Sequence, residues 1–342
     1  MDTFRLGRTG LQVSRSGFGA IPIQRLSFDD AAVLLRRAYE GGINFFDTAR
    51  AYGDSEEKIA YALSDVRAHI ILASKTMAET PDGFQSDLET SLRNLKTDHI
   101  DIYQFHNPAF LPDADHPLYR AALRARREGK IRFISVTNHR LDLAIQMVRS
   151  GLFDTMQFPL SALSSAEDLA LVELCRAHDV GLIVMKAMSG GLITDPTATF
   201  ALLRSLGDVV PIWGLQHLWE LEQFLALEAD PPALTPALRT AIERDKQALA
   251  GAFCRACGYC MPTCPAGIQI STAARMSLLL RRMNPAHFVT PEMRALMEAA
   301  ARCTDCGLCK AHCPYGLDTP ALLRREHALY RAYLAEQDAT RP

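Results

Sequence analysis

The sequence lacks an excess of charge of either sign and has no long basic run. It contains 37 Lys and Arg residues against 39 Asp and Glu residues, and its formal net charge is -2. Binding to nucleic acid or to an anionic membrane surface relies on clustered positive charge, so we expect neither as a partner. With 48% hydrophobic and 22% charged residues, the composition is typical of a folded globular protein rather than a disordered chain.

Long hydrophobic runs are also missing. Residues 1–8 contain no apolar h-region, and no stretch of about 18 consecutive apolar residues occurs. We therefore expect neither a signal peptide nor a membrane span, and predict a cytoplasmic protein. Eight of the nine cysteines lie beyond residue 250 in tight groups, a usage typical of metal binding rather than of a disulfide framework.

Short apolar segments alternate with helix-periodic segments from residue 14 to about residue 229. This alternation predicts βα units and a parallel sheet. Eight consecutive units favour a (β/α)8 TIM barrel over an open doubly wound sheet, and no Gly-rich dinucleotide fingerprint follows the first strand. The predicted strands are 14–20, 44–49, 69–76, 100–106, 131–138, 155–160, 181–188 and 209–215.

Two adjacent prolines, Pro231 and Pro232, interrupt the alternation. We therefore predict a barrel domain over 1–235 and a small, mainly α-helical domain over 236–342. The second domain is expected to begin with a linker helix at 236–250. Further helices are predicted at 271–283, 291–301 and 319–336.

Two copies of a Cys-x2-Cys-x2-Cys-x3-Cys-Pro motif dominate the C-terminal third. This spacing is typical of two 4Fe-4S clusters, in which the fourth cysteine of each motif binds the other cluster. Structural zinc is the alternative, but it needs neither the third cysteine nor the Cys-Pro ending. The motifs resemble those of bacterial two-cluster ferredoxins, and the long, helix-like segment 265–302 between them suggests an α-helical ferredoxin type. The first cluster is assigned to Cys254, Cys257, Cys260 and Cys313, and the second to Cys303, Cys306, Cys309 and Cys264.

Four polar residues lie at or just after the ends of three successive predicted strands: Asp47, Tyr52, Lys75 and His106. In a barrel of this kind, chemistry takes place where the strands end. A cationic Lys75 would lower the pKa of Tyr52 and make it a better proton donor, while Asp47 holds the lysine. His106 could donate a hydrogen bond to a substrate carbonyl. Each residue alone has a purely structural explanation, but together they favour one catalytic site.

Several short runs carry a family resemblance: Leu6-Gly7-Arg8-Thr9-Gly10, Phe46-Asp47-Thr48-Ala49-Arg50-Ala51-Tyr52-Gly53, Ser74-Lys75 and His106-Asn107-Pro108. Through them, residues 1–229 resemble the aldo/keto reductase superfamily. The whole chain resembles its subgroup with a C-terminal iron-sulfur extension. The resemblance implies an oxidoreductase that binds NAD(P) in extended form. It also implies that Tyr52 is the general acid, that Lys75 and Asp47 tune it, and that His106 orients the carbonyl.

The resemblance also places the cofactor. Its carboxamide would lie at Thr137, Asn138 and Gln157, although Asn138 could instead cap the next helix. Lys186 precedes small residues that let backbone approach a phosphate, which favours a pyrophosphate contact over an ion pair at the barrel end. No Lys or Arg lies between the last strand and Arg239, and Leu160 stands where many relatives of the family have an aromatic ring, so NAD and NADP both stay open. The predicted phosphate-side contacts are Lys186, Ser189, Gly191, Gly214 and Gln216.

The two halves of the chain imply different electron chemistry, because nicotinamides transfer hydride whereas each cluster accepts one electron. The first interpretation is an NAD(P)-dependent enzyme acting on a small carbonyl compound or alcohol. Its clusters would exchange electrons with a separate protein partner or serve structure. In the second, a flavin or redox-active substrate in the barrel is linked to the clusters without NAD(P). The third is an electron-carrier module. The complete set of four polar residues favours the first, and His99, His116 and His139 are expected to be solvated surface histidines.

Overall fold

A closed barrel of eight parallel strands forms the larger part of the molecule. The computed structural model describes residues 1–339. The barrel strands follow one another around the ring in chain order, and the last strand pairs with the first. The prediction of a (β/α)8 barrel is therefore confirmed. The barrel strands are β3 (Gly17–Gly19), β4 (Phe45–Asp47), β5 (Ile71–Thr76), β6 (Ile100–His106), β7 (Ile131–Thr137), β8 (Thr155–Pro159), β9 (Gly181–Met185) and β10 (Val209–Gly214).

A short antiparallel hairpin closes the end of the barrel at which the strands begin. It consists of β1 (Thr3–Arg5) and β2 (Gln12–Ser14). Phe4 and Val13 of this hairpin pack against inward-facing strand residues such as Phe45 and Ile71. Because this end is plugged with apolar side chains, a site for polar chemistry is left to the opposite end, where the strands finish.

Eight helices pack around the barrel. Their boundaries follow local capping chemistry, as in the first helix, where the Ser27 hydroxyl accepts the Asp30 backbone N–H and Gly41 follows the last turn. The helices are α1 (Phe28–Glu40), α2 (Ser55–Leu63), α3 (Pro81–Leu95), α4 (Pro117–Arg127), α5 (Leu141–Arg149), α6 (Ala166–Ala177), α7 (Thr197–Ser205) and α8 (Leu218–Ala229).

The C-terminal part is helical, as expected. The helix predicted over 271–283 is broken in two, because Arg275 leaves helical geometry at φ -131° and its side chain donates to the Ser271 carbonyl. Within residues 1–339, no helix has both the length and the apolar character needed to cross a membrane. The helices are α9 (Pro236–Leu249), α10 (Ile270–Ala273), α11 (Met276–Arg282), α12 (Pro291–Ala300), α13 (Leu308–Ala311) and α14 (Thr319–Ala339).

The C-terminal helices dock on the loops at the carboxyl end of the barrel strands. Leu163 and Ile193, from the loops after β8 and β9, share one apolar cluster with Ile242, Phe253 and Leu278. The contact therefore removes apolar surface of both parts from water, which stabilises the docked arrangement.

Candidate active site and cluster pockets

Asp47 and Lys75 form a buried ion pair at the carboxyl ends of β4 and β5. Lys75 Nζ donates to Asp47 Oδ1 at 2.5 Å and to the Thr48 carbonyl at 2.6 Å. Gln104 Nε2 donates to the other carboxylate oxygen at 3.0 Å. Burial raises the pKa of Asp47 and lowers that of Lys75, while the opposite charge of each partner counteracts the shift. These bonds fix the ammonium group in one position.

Tyr52 and His106 lie beside this pair. Lys75 Nζ is 5.0 Å from the centroid of the Tyr52 ring, and the Tyr52 and His106 rings meet edge to face with centroids 5.8 Å apart. The structure thus brings the four predicted residues together. The expected lowering of the Tyr52 pKa does not occur: burial, followed by the Asp47 carboxylate, raises it. Lys75 is engaged by Asp47 and lies over the ring, so the phenol stays protonated.

Unpaired polar atoms surround the same end of the barrel. The Nδ1 atoms of His106 and His139 and the Oε1 atom of Gln157 are buried without a hydrogen-bond partner. Burial, with Lys75 and Lys186 nearby, lowers the pKa of His106 to about 3, so its imidazole is neutral at physiological pH. Because unpaired buried polar groups are costly, this group of atoms fits a small polar ligand.

His139 is not the solvated surface histidine that the sequence predicts. Its ring is partly buried beside the Ala256 backbone, and burial lowers its pKa well below the usual value. The sequence carries a signal for this, since His139 follows β7 at the same end of the barrel at which His106 ends β6. The other two histidines, His99 and His116, are partly exposed.

Thr137 and Asn138, two of the residues expected at the cofactor carboxamide, are hydrogen-bonded to backbone groups of the protein. Thr137 Oγ1 accepts the Asn107 N–H at 2.9 Å. Asn138 Nδ2 donates to the Pro108 carbonyl at 3.0 Å, and its Oδ1 accepts the Arg140 N–H at 2.8 Å. Asn138 therefore holds the turn before α5, close to its alternative role as a cap.

The residues expected at the phosphates contact other parts of the protein. Lys186 Nζ donates to the Arg255 carbonyl at 3.1 Å, which is neither of the two roles expected for it. Ser189 Oγ donates to Ser161 Oγ at 3.0 Å. Gly214 is exposed, and the Gln216 N–H is bound by the Glu220 carboxylate.

The eight motif cysteines line two separate cavities. All eight are free of disulfide bonds. Each cavity is lined by four of them together with apolar side chains such as Ile270. The first is lined by Cys254, Cys257, Cys260 and Cys313. The second is lined by Cys264, Cys303, Cys306 and Cys309.

The spacing of these thiols bears on zinc as an alternative. Over the described range 1–339, no three His, Cys, Asp or Glu side chains converge closely enough to hold a single metal ion. Structural zinc draws its four ligands to about 2.3 Å from one ion. In a 4Fe-4S cube each thiolate binds a different iron, so the sulfurs stand further apart. Each cavity is lined by four cysteines, which is the donor set that a 4Fe-4S cube takes.

Comparison with protein families gives two matches. The model of the "Aldo/keto reductase family" matches residues 16–201, and the model of the "4Fe-4S dicluster domain" matches residues 253–318. The first match covers seven of the eight barrel strands, β3 to β9, with the residues around Asp47 and Lys75. The second covers all eight motif cysteines.

Relatives with curated descriptions align with a little over half of the chain. The chain is 31% identical to L-galactose dehydrogenase of Arabidopsis thaliana in an alignment of 212 positions that covers 56% of this chain and 66% of the relative. It is 27% identical to the NADH-specific methylglyoxal reductase of Escherichia coli in an alignment of 232 positions that covers 57% of this chain and 69% of the relative. The chain thus spans only about two thirds of the length of these relatives.

Solved structures described as aldo-keto reductases are also similar to this chain. A protein described as an aldo-keto reductase from Pseudomonas aeruginosa is 27% identical, with a TM-score of 0.59 over 66% of this chain and 94% of its own. An aldo-keto reductase from Bacillus halodurans is 21% identical, with a TM-score of 0.62 over 71% and 96%, which is a likeness of fold.

Proposed function

Because the chain belongs to the aldo/keto reductase family, we propose that its barrel interconverts a small carbonyl compound and the corresponding alcohol. The observation that supports this proposal is that four side chains converge at the carboxyl end of the barrel strands: Asp47, Lys75, Tyr52 and His106. A proton donor, a buried cation and a neutral imidazole in one place are the groups that carbonyl reduction needs.

Reduction of a carbonyl to an alcohol adds one proton to the oxygen, which Tyr52 supplies. The carbon takes up either a hydride from a nicotinamide or two single electrons and a second proton from water. Its raised pKa keeps this proton in place until negative charge develops on the carbonyl oxygen. Lys75, held by Asp47, then stabilises the phenolate that is left. His106 is neutral, so it can donate one N–H to the carbonyl oxygen. In the oxidation direction Tyr52 takes the proton back.

We further propose that the cysteines hold two 4Fe-4S clusters. Cys254, Cys257, Cys260 and Cys313 would bind one of them, and Cys264, Cys303, Cys306 and Cys309 the other. Each cluster, when bound, exchanges one electron at a time. The two cavities and the matched dicluster model support this assignment.

Two sources of electrons are candidates. NAD(P) is supported by the family and by the printed name of the Escherichia coli relative. A source linked to the clusters, fed by an electron-transfer protein, is supported by one specific contact. The segment that carries Cys254 and Cys257 lies at the carboxyl end of the barrel strands, where Lys186 Nζ donates to the Arg255 carbonyl.

Anaerobic turnover of a panel of small aldehydes and ketones that includes methylglyoxal tests the proposed reaction. The electron donors are NADH, NADPH and reduced methyl viologen, a one-electron donor. We expect at least one carbonyl to be reduced, and Lys75→Met to abolish this turnover while the iron content stays unchanged. No turnover with any donor, or full turnover by the Lys75→Met enzyme, would contradict the proposal.

A further inference from the structure

We propose that this chain covers its own dinucleotide site with its C-terminal domain, so that the barrel binds neither NADH nor NADPH in the extended form known for its family. The inference rests on the proposed function, because it decides between the two sources of electrons. Three segments that would contact the dinucleotide are each occupied by protein groups: Lys186, the glycines 190–191 and the start of α8.

The amine of Lys186, the first of these, is hydrogen-bonded to the segment that carries Cys254 and Cys257. Its backbone has φ 58°, a left-handed conformation that non-glycine residues rarely adopt, and its amine donates to the Arg255 carbonyl at 3.1 Å. Arg255 is itself anchored to the barrel, since its guanidinium pairs with Asp168 and donates to the Leu163 carbonyl at 2.5 Å. Lys186 would have to give up this bond to reach a phosphate.

The backbone of Gly190 and Gly191, which is partly buried, lies against side chains of the other domain. A Cβ placed on Gly190 would lie 3.3 Å from Leu278 Cδ1 and 3.7 Å from the Phe253 ring. A Cβ placed on Gly191 would lie 3.0 Å from Arg282 Nη2. Glycine can let a phosphate approach the backbone. Here the same space accommodates α11 and the residue before Cys254.

Just before α8, backbone N–H groups are already bonded to a carboxylate of the protein itself, that of Glu220. Free N–H groups at a helix N-terminus attract phosphates. In this chain Glu220 Oε2 accepts the N–H groups of Gln216 and His217, at 2.7 and 3.0 Å. Glu220 Oε1 accepts a hydrogen bond from Arg282 Nη1 at 3.1 Å. A carboxylate in this place occupies the donors and repels a phosphate, while Arg282 ties it to the C-terminal domain.

Further contacts hold the C-terminal domain against the barrel. Arg25, in the loop after β3, donates to the Leu280 carbonyl and, at 3.1 Å, to the Met283 carbonyl. Leu163, Ile193, Phe253 and Leu278 form part of one apolar cluster across the boundary. Lifting the domain to admit a dinucleotide would expose this cluster to water, so the closed arrangement is favoured. Of the two electron sources, the one linked to the clusters remains.

Equilibrium dialysis of the anaerobically purified holoprotein against NADH and NADPH tests the inference. We expect no stoichiometric retention of either nucleotide up to about 1 mM, which corresponds to less than about 4 kcal/mol of binding free energy. Retention of one nucleotide per chain would overturn the inference, whatever the catalytic result.

Hydrogen–deuterium exchange of the same holoprotein gives a second readout. Backbone amides in 188–192 and 216–220 should exchange slowly, and Arg25→Ala combined with Arg282→Ala should speed their exchange. Fast exchange of these segments in the wild type would also overturn the inference. A failure of the proposed function is distinguishable, because it would appear as absent carbonyl turnover with methyl viologen while nucleotide binding stayed negative.

Discussion

Arg255 lies between two cluster cysteines in the chain, and its guanidinium forms a buried ion pair with Asp168 of α6. The same guanidinium lies 3.9 Å from the centroid of the Tyr315 ring, two residues after Cys313. One side chain therefore connects the barrel, the first cysteine motif and the end of the second. Its charge is satisfied only when all three are in place, so it couples the docking of the domain to the integrity of the first cluster pocket.

Replacement of Arg255 tests this coupling. Arg255→Ala leaves the Asp168 carboxylate buried without its partner, which typically costs about 3–5 kcal/mol. We expect a clearly lower thermal unfolding midpoint for the anaerobic holoprotein. The matched control is Arg176→Ala, whose pair with Glu173 is exposed and contributes about 0–1 kcal/mol. Equal effects of the two substitutions would show that the buried pair does not hold the domains together.

Removal of the Tyr52 hydroxyl tests its role as proton donor. Tyr52→Phe keeps the ring between Lys75 and His106, so the fold should be retained. We expect carbonyl reduction to fall at least ~100-fold, because the general acid is lost. Tyr61→Phe is the control, since the hydroxyl of this exposed tyrosine of α2 donates to Asp29 Oδ1 and its removal should leave turnover unchanged. Turnover close to the wild-type value in Tyr52→Phe would refute the assignment.

The pH dependence of turnover tests the protonation states of this site. The pKa of His106 is lowered to about 3, and that of Tyr52 is raised above its ordinary value of about 10. Between pH 6 and 9 His106 therefore stays neutral and Tyr52 stays protonated. We expect the wild type and His106→Gln to show pH profiles of the same shape, although the variant is slower. An inflection near pH 6.5 in the wild type alone would mean that His106 titrates as a free imidazole.

Much of the fold could be predicted because its signals are local. Apolar runs of strand length, capping residues such as Ser27 and the glycines after α1 identify each βα unit without reference to the rest of the chain. The four catalytic candidates follow from the same pattern, since the carboxyl ends of parallel strands meet at one end of a barrel. Asp47, Lys75 and His106 lie at three successive strand ends, and the structure brings them together.

Three features do not follow from the sequence pattern, because they depend on side-chain contacts and burial that the pattern does not encode. Lys186 was expected to face a phosphate, but its partner lies 69 residues away in the other domain. The pKa of Tyr52 was expected to fall, but the expectation left out the burial that raises it. The break at Arg275 interrupts a continuous apolar pattern through a side-chain bond to the Ser271 carbonyl. None of these effects has a periodic signal in the sequence.

Each cavity is lined by three cysteines of one motif and the fourth cysteine of the other. This crosswise grouping predicts how pairs of cysteine substitutions change the iron content. Cys257 and Cys313 line the first cavity although they are 56 residues apart, whereas Cys264, seven residues after Cys257, lines the second. Loss of one ligand should release one cluster, because bound metal and local folding depend on each other. We therefore expect Cys257→Ala and Cys313→Ala each to lower the iron content by about half.

The double variants separate crosswise from sequential ligation. If Cys257 and Cys313 serve the same cluster, Cys257→Ala combined with Cys313→Ala should retain as much iron as either single variant. Cys257→Ala combined with Cys264→Ala should lose nearly all of it, because one ligand is removed from each cluster. Sequential ligation, in which each motif binds its own cluster, predicts the opposite outcome for the two pairs. Cys175→Ala is the control, since this lone, buried thiol of α6 lies outside both cavities and should leave the iron content unchanged.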